Sequence, residues 1–233
     1  MSTAARARLD PVDPSLLRGL RDHVHEALRR AIVSGEIPSG AALNERQLAE
    51  ELGVSTTPIK EALRRLENEG LAVTEPRRGT RVTFDARQAE EMALARAALE
   101  GMIARLAAQR VDDAALAAIQ ATVEQMRAAT AEGDVPRLIA LNEQFHDAIH
   151  DASGCRYLHR LIEGQRVYDH TARSIILGDA EERGRAFAEH AAIFEALARR
   201  DPDAAETAMR DHVVRSGRHH VKAAFDRRKE QAS

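Results

Sequence analysis

Apolar side chains recur every three to four positions along most of the chain, which predicts a largely helical protein. The first stripe is Leu17, Leu20, Val24, Leu28 and Ile32, so a helix is expected over residues 16–34. Gly35 ends it, and Pro38-Ser39-Gly40 makes a turn. Residues 45–52 place Leu48, Ala49 and Leu52 on one face. Gly53 then interrupts, as a tight turn between two helices requires. Ser55 is the expected N-cap of the next helix, and Pro58 falls in its first turn, where a missing N–H costs little. This helix turns Ile59, Ala62, Leu63 and Leu66 inward and ends at Gly70. Thr56, Thr57, Lys60 and Arg64 lie on a different face and carry hydrogen-bond donors and positive charge. The period then changes: residues 71–75 and 80–84 are short and rich in β-formers, joined by Pro76-Arg77-Arg78-Gly79. That pattern predicts a hairpin with two arginines at its tip.

From residue 85 onward the pattern predicts helices alone, five or more of them. One runs over 86–110, with Met92, Leu99, Met102, Ile103 and Leu106 as its apolar face. Asp112 or Asp113 caps the next, to about residue 131; Gly133-Asp134 breaks it, and Pro136 opens another to about 151. Further helices are expected over 156–177, 180–199 and 202 to about 229. Short connections imply antiparallel neighbours in a bundle. The fold class is therefore mainly α. A winged helix-turn-helix of three helices and a small β-hairpin occupies residues 15–84, and an antiparallel all-α bundle occupies 85–233. Residues 1–14 lack a period and are expected to form a mobile arm. In a winged helix-turn-helix the second helix of the pair enters the major groove of double-stranded DNA, and the wing touches phosphate or the minor groove.

Composition narrows the class. Of 233 residues 44% are hydrophobic and 30% charged, as in an ordinary soluble protein, while aromatics are only 3% and Trp is absent, which favours helices. No apolar run is long enough to span a bilayer and no signal-peptide pattern is present, so the expected location is the cytoplasm, with no membrane partner. A single cysteine, Cys155, excludes an internal disulfide and an all-cysteine zinc site. Residues 1–84 hold 13 Lys/Arg against 12 Asp/Glu, a net of +1; the remainder holds 21 against 25, a net of −4. DNA affinity must then come from placed cations rather than from a general basic field.

Ten histidines raise the question of which lie on apolar faces. His146 borders the stripe of Leu138, Leu141, Phe145 and Ile149, with Asn142 one turn before it. His190 lies among Phe187, Phe194 and Leu197, and His212 beside Met209 and Val213. Three inward imidazoles and an amide oxygen can converge on a divalent ion, or each can be a packed core residue with its own hydrogen bond. His150, one turn after His146, competes for the same role; His23, His25, His159, His170, His219 and His220 read as solvated or packing residues.

Residues 20–83 resemble the DNA-binding domain of the GntR family of bacterial transcription regulators, through LRRAIVSGEIPSGAALNERQLAEELGVSTTPIKEALRRLENEGL and the RRG wing. The resemblance implies DNA contacts at Arg46, Ser55, Thr56, Thr57, Lys60 and Arg78, to which the helix pattern adds Arg64. Thr56 and Lys60 stand where the family usually has arginine, so an operator unlike the common family consensus is expected: lysine lacks the bidentate fork that reads guanine. Residues 92–225 resemble the FCD effector domain of the FadR subfamily, through RAALEGMIARLAA, NEQFHDAIH and EHAAIFEALARRDPDAAETAMRDHV. By that resemblance Asn142, His146, His190 and His212 hold a divalent metal, zinc first, with nickel, manganese or iron as alternatives. The family more often has Asp at the Asn142 position. The resemblance also places a small carboxylate effector beside the metal, faced by Arg96 and, by analogy of charge, Arg173. Glu100, at i+4 from Arg96, offers that arginine a structural pair instead.

The expected function is a ligand-responsive transcription regulator, not an enzyme, acting as a homodimer on a palindromic operator. Two alternatives share some of these residues: a regulator that responds to metal with no organic effector, and a metal-dependent enzyme. Against the enzyme, Glu143 and Asp147 should point away from the histidines, and no phosphate loop or nucleophile elbow is present.

Overall fold

The computed structural model describes residues 14–163 and 176–222, together with Phe225. Residues 1–13 of the expected arm, His170 and Arg173, residues 164–175 of one expected helix and most of the C-terminal end of another lie outside the described residues. The chain divides into two compact units, one formed by the described residues through Ile32 and Ser39–Thr83, the other by Val33–Pro38 and the residues from Phe84 onward.

The first unit holds α1 (Pro14–Val33), β1 (Ala42–Leu43), α2 (Glu45–Leu52), α3 (Thr56–Asn68), β2 (Ala72–Glu75) and β3 (Gly79–Val82). Asn44 caps α2, its side chain accepting from the backbone N–H groups of Arg46 and Gln47 at 3.0 and 3.2 Å. Gly53, at φ 64°, takes the left-handed conformation that turns the chain sharply into α3. Ser55 stands at the cap of α3 with extended backbone, but its hydroxyl makes no capping bond. The hairpin β2–β3 is antiparallel with Thr74 opposite Thr80. β1 pairs with the other edge of β3, giving the order β1-β3-β2. A two-residue strand has no period to read, so the sequence did not signal it.

The core of this unit is Val24, Leu28, Leu48, Ile59, Leu63 and Leu66. Each such side chain contributes about 1.5–3 kcal/mol on burial. Leu20 and Leu52, expected in the same stripes, are exposed. α1 is also tied to the C-terminal end of α3 by a buried polar clamp. His25 Nε2 and Arg29 Nε lie 2.9 and 3.1 Å from the carboxylate of Glu69. Arg65 adds an exposed bond to Asp22 at 2.6 Å.

The second unit holds α4 (Ala86–Arg110), α5 (Asp113–Glu132), α6 (Val135–Ser153), α7 (Arg156–Glu163), α8 (Ala180–Ala198) and α9 (Pro202–Val221). Aspartates at 85, 112, 134, 179 and 201 cap five of them by accepting from backbone N–H groups of the first turn. α4 and α9 form the most extensive helix pair and run antiparallel, with Ala93 beside Gly217 and Gly101 beside Glu206. This contact corrects the expected apolar face of α4. Met102 is 41% exposed, and the buried face is Ala97, Gly101, Ile103, Ala104, Ala107 and Ala108. The reason is distance: a Cβ on Gly217 would stand 2.5 Å from that of Ala93, and one on Gly101 would stand 3.2 Å from the Glu206 carbonyl oxygen. Helices this close accept only small residues between them. Phe145, Ile149, Ile193, Leu197 and Met209 fill the centre of the bundle.

Candidate functional site

In the first unit α3 buries Pro58, Ile59, Ala62, Leu63 and Leu66, which leaves its other face to solvent. Thr57, Lys60 and Arg64 are exposed there, at the i, i+3, i+7 spacing of a single helix face. Thr56 is half-buried, and Arg46 and Ser55 are exposed at the start of α2 and just before α3. Lys60 lies 3.7 Å from Glu45, and Arg78, at the hairpin tip, lies 3.5 Å from Glu75. Exposed pairs of this kind contribute at most about 1 kcal/mol, so both cations can exchange their partner for a phosphate. Arg77 turns the tip with φ 67°, a left-handed conformation uncommon outside glycine. The structure thus assembles an exposed polar face on α3 and a basic wing tip in the same unit.

The second unit gathers titratable groups in its interior. His146 on α6, His190 on α8 and His212 on α9 are all buried, and one ring nitrogen of each lies within 4.8 Å of the others. Their ring centroids are 4.5 Å apart for His190 and His212, and 5.7 Å for His146 with each of the other two. Phe145 packs edge-on against His146 and His190, with centroids 5.7 and 5.0 Å away, and fixes both rings. His212 donates from Nδ1 to Glu189 Oε2 at 2.7 Å, and Glu189 also accepts from Arg215 at 2.9 Å. Burial lowers the His212 pKa against the opposing pull of Glu189, so the ring is neutral and its Nε2 keeps a lone pair. Asn142 is buried one turn before His146.

Glu100 on α4 is the acidic centre of this interior, with only 1% of its side chain exposed. Its Oε2 accepts from His150 Nε2 at 2.7 Å and lies 3.7 Å from His146 Nδ1; Oε1 accepts from Arg96 Nη2 at 3.2 Å. Burial alone would raise its pKa, but the His146 and His150 rings and the Arg96 guanidinium that face it outweigh burial and hold the carboxyl well below the usual range. The reading of Arg96 and Glu100 as a helix pair holds, and His150 and His146 extend it from a second helix. The sequence carried no sign of that extension, since Glu100 and His150 are separated by 50 positions. Arg96 also lies near enough for its charge to act on His212. Beside Asn142 and His190 is a void of about 10 Å³, enough for roughly one water, lined also by Arg183, Phe187, Leu177 and Leu138. Arg183, two turns before His190 on α8, was missed; that spacing was its only signal.

The three imidazoles of His146, His190 and His212 form a donor set suited to zinc, nickel, iron or manganese. The Glu189–His212 bond supplies the outer carboxylate that orients a ligating histidine. The residues present therefore fit a divalent ion.

Comparison with known proteins identifies both units. Residues 20–82 match the family described as "Bacterial regulatory proteins, gntR family", and residues 91–215 match the FCD domain. The chain is similar to the HTH-type transcriptional repressor RspR of Escherichia coli, 27% identical over 88% of this chain and 89% of RspR. It is similar to the "Probable D-xylose utilization operon transcriptional repressor" of Paenarthrobacter nicotinovorans, 33% identical over 82% and 84% of the two chains. Among solved structures, McbR/YncC of Escherichia coli aligns with a TM-score of 0.61 at 26% identity, covering 83% of this chain and 93% of the other. These relatives are transcription regulators, which removes the enzyme alternative. No helix among the described residues is long and apolar enough to cross a membrane.

Proposed function

The chain belongs to the GntR family and carries an FCD domain, so it is a DNA-binding transcription regulator, and we propose that a small carboxylate bound beside a divalent metal in the helical unit controls its hold on DNA. The observation that carries this reading is the meeting of His146, His190 and His212 from three helices. Asn142 is the fourth ligand in the proposal. When bound, the ion supplies positive charge and open coordination positions for a carboxylate oxygen. Arg96 adds a cation whose field already reaches His212, and it takes the remaining carboxylate oxygen by charge-assisted hydrogen bonds. A ligand larger than one water displaces the side chains around the void, among them Phe187 and Arg183. Ligand and helix packing are thereby coupled, and a ligand that favours one arrangement shifts the population toward it.

Arg46, Ser55, Thr56, Thr57, Lys60, Arg64 and Arg78 form the proposed DNA face, and a homodimer reads a palindromic operator in the cytoplasm. Two substitutions test the face. Lys60→Ala is expected to weaken binding to operator DNA and to lower the magnitude of its salt slope by about 1, as loss of one phosphate contact does. Arg78→Ala is expected to weaken binding while leaving the circular dichroism melt of the unit unchanged, because the side chain is 74% exposed. An unaltered salt slope or an unaltered affinity removes the respective residue from the interface.

The metal reading is tested by elemental analysis of untagged protein beside His146→Ala. One ion per chain, lost in the variant, is expected at this centre. Operator binding is then titrated with metal alone and with small organic acids. A response to acids only in the metal-loaded protein supports the two-part site. A response to metal with none to any acid favours the simpler regulator that senses metal itself.

A further inference from the structure

A second cluster lies one helical turn beyond the first. We propose that Asp147 and His150 of α6 and His159 of α7 form a second divalent-metal site, distinct from the one at His146, His190 and His212. One ligand atom of each of these three residues lies within 4.8 Å of the others. The rings of His150 and His159 meet edge-to-face, with centroids 5.2 Å apart and planes inclined at 68°.

The chemistry of His150 carries the argument. An ionised carboxylate only accepts hydrogen bonds. The Nε2 of His150, 2.7 Å from Glu100, must therefore carry the ring proton. In the neutral ring Nδ1 then holds a lone pair. That atom is buried and has no hydrogen-bond partner among the described residues. A buried acceptor left unsatisfied in this way destabilises the fold. A cation seated between His150, His159 and Asp147 satisfies it. Glu100 stands behind His150 as the outer carboxylate of a carboxylate–histidine–metal arrangement, the same role that Glu189 has toward His212. Two imidazoles and one carboxylate with open positions suit a first-row divalent ion such as zinc, cobalt or iron.

Asp147 and His150 are three residues apart on α6, so both side chains project on one side of the helix. His159 comes from α7, and an ion held by all three pins α7 to α6. Because Glu100 also lies 3.7 Å from His146, one carboxylate backs both clusters. The inference goes beyond the effector reading and stands without it, since none of the three ligands belongs to the first site.

The test uses full-length untagged protein, stripped with a chelator and dialysed into metal-free buffer. Cobalt(II) is titrated in and followed by its visible absorption, and zinc content is counted by elemental analysis after reloading. The expected result is two ions per chain in the wild type. His159→Ala and Asp147→Ala each lose one ion, keep the helical circular dichroism of the wild type, and retain the ion that His212→Ala removes. If His159→Ala does not fold, His159→Gln and Asp147→Asn give the same reading. A metal count and cobalt spectrum unchanged in both the Asp147 and His159 variants overturn the second site, whatever His212→Ala does. A single ion abolished by His159→Ala and untouched by His212→Ala supports the second site and overturns the first.

Discussion

Phe145→Ala is expected to destabilise the helical unit by about 3–5 kcal/mol, the usual cost of emptying a fully buried aromatic position. The ring has no exposed surface and sits at the centre of the bundle. It is also the wall against which His146 and His190 are held, so its removal frees two of the three rings of the central cluster. Urea unfolding followed by circular dichroism reads the stability change, and zinc affinity reads the loss of ring order. Both are expected to fall together. Phe145→Leu keeps apolar contact with most of the same neighbours and is expected to cost less on both measures. An unchanged urea midpoint in Phe145→Ala would show that the ring does not hold the bundle together.

Glu100→Ala is the second large effect. It removes one carboxylate from among Arg96, His146 and His150, all of which face it. Breaking a buried ion pair by deleting one partner typically costs about 3–5 kcal/mol, because the remaining charge is left without compensation. Arg96 is the group so stranded, with 13% of its side chain exposed. The outer carboxylate behind His146 and His150 is lost as well, and removal of such a partner commonly lowers metal affinity about 10–100-fold. The measurements are the urea midpoint at neutral pH and the zinc content after dialysis. Glu100→Gln keeps the shape and one acceptor oxygen toward Arg96, so it is expected to fall between the wild type and Glu100→Ala. If Glu100→Ala unfolds at the wild-type midpoint, the buried network contributes nothing to stability.

Much of the architecture is written in short-range pattern. Helix ends follow from caps that act within three residues, as Asp112 and Asp179 do, and from glycines that accept left-handed backbone, as Gly53 and Gly133 do. The inward face of α3 follows from the spacing of Ile59, Ala62, Leu63 and Leu66. Where the reading failed, a distant partner had overridden the local rule. Hydrophobic spacing assigned Met102 to the core of α4, but the close approach of α9 selects Ala97, Gly101 and Ala104 instead. Leu52 matched its stripe and remained exposed, since none of the described residues covers it. His159 read as an ordinary packing residue until α7 brought it against His150.

The sequence by itself determined the order of helices and hairpin, the polar face of α3, and that His146, His190 and His212 lie on inward faces of three separate helices. Periodicity decides these properties, since it depends only on which neighbours share a side of one element. Only the tertiary structure decided that the three faces meet, that Glu100 reaches across to His150, and that Glu189 holds Nδ1 of His212 so that Nε2 is left for a ligand. Those contacts join residues 22 to 66 positions apart. They arise where α4 packs against α6, α8 and α9, which brings groups from separate stretches of chain into one interior.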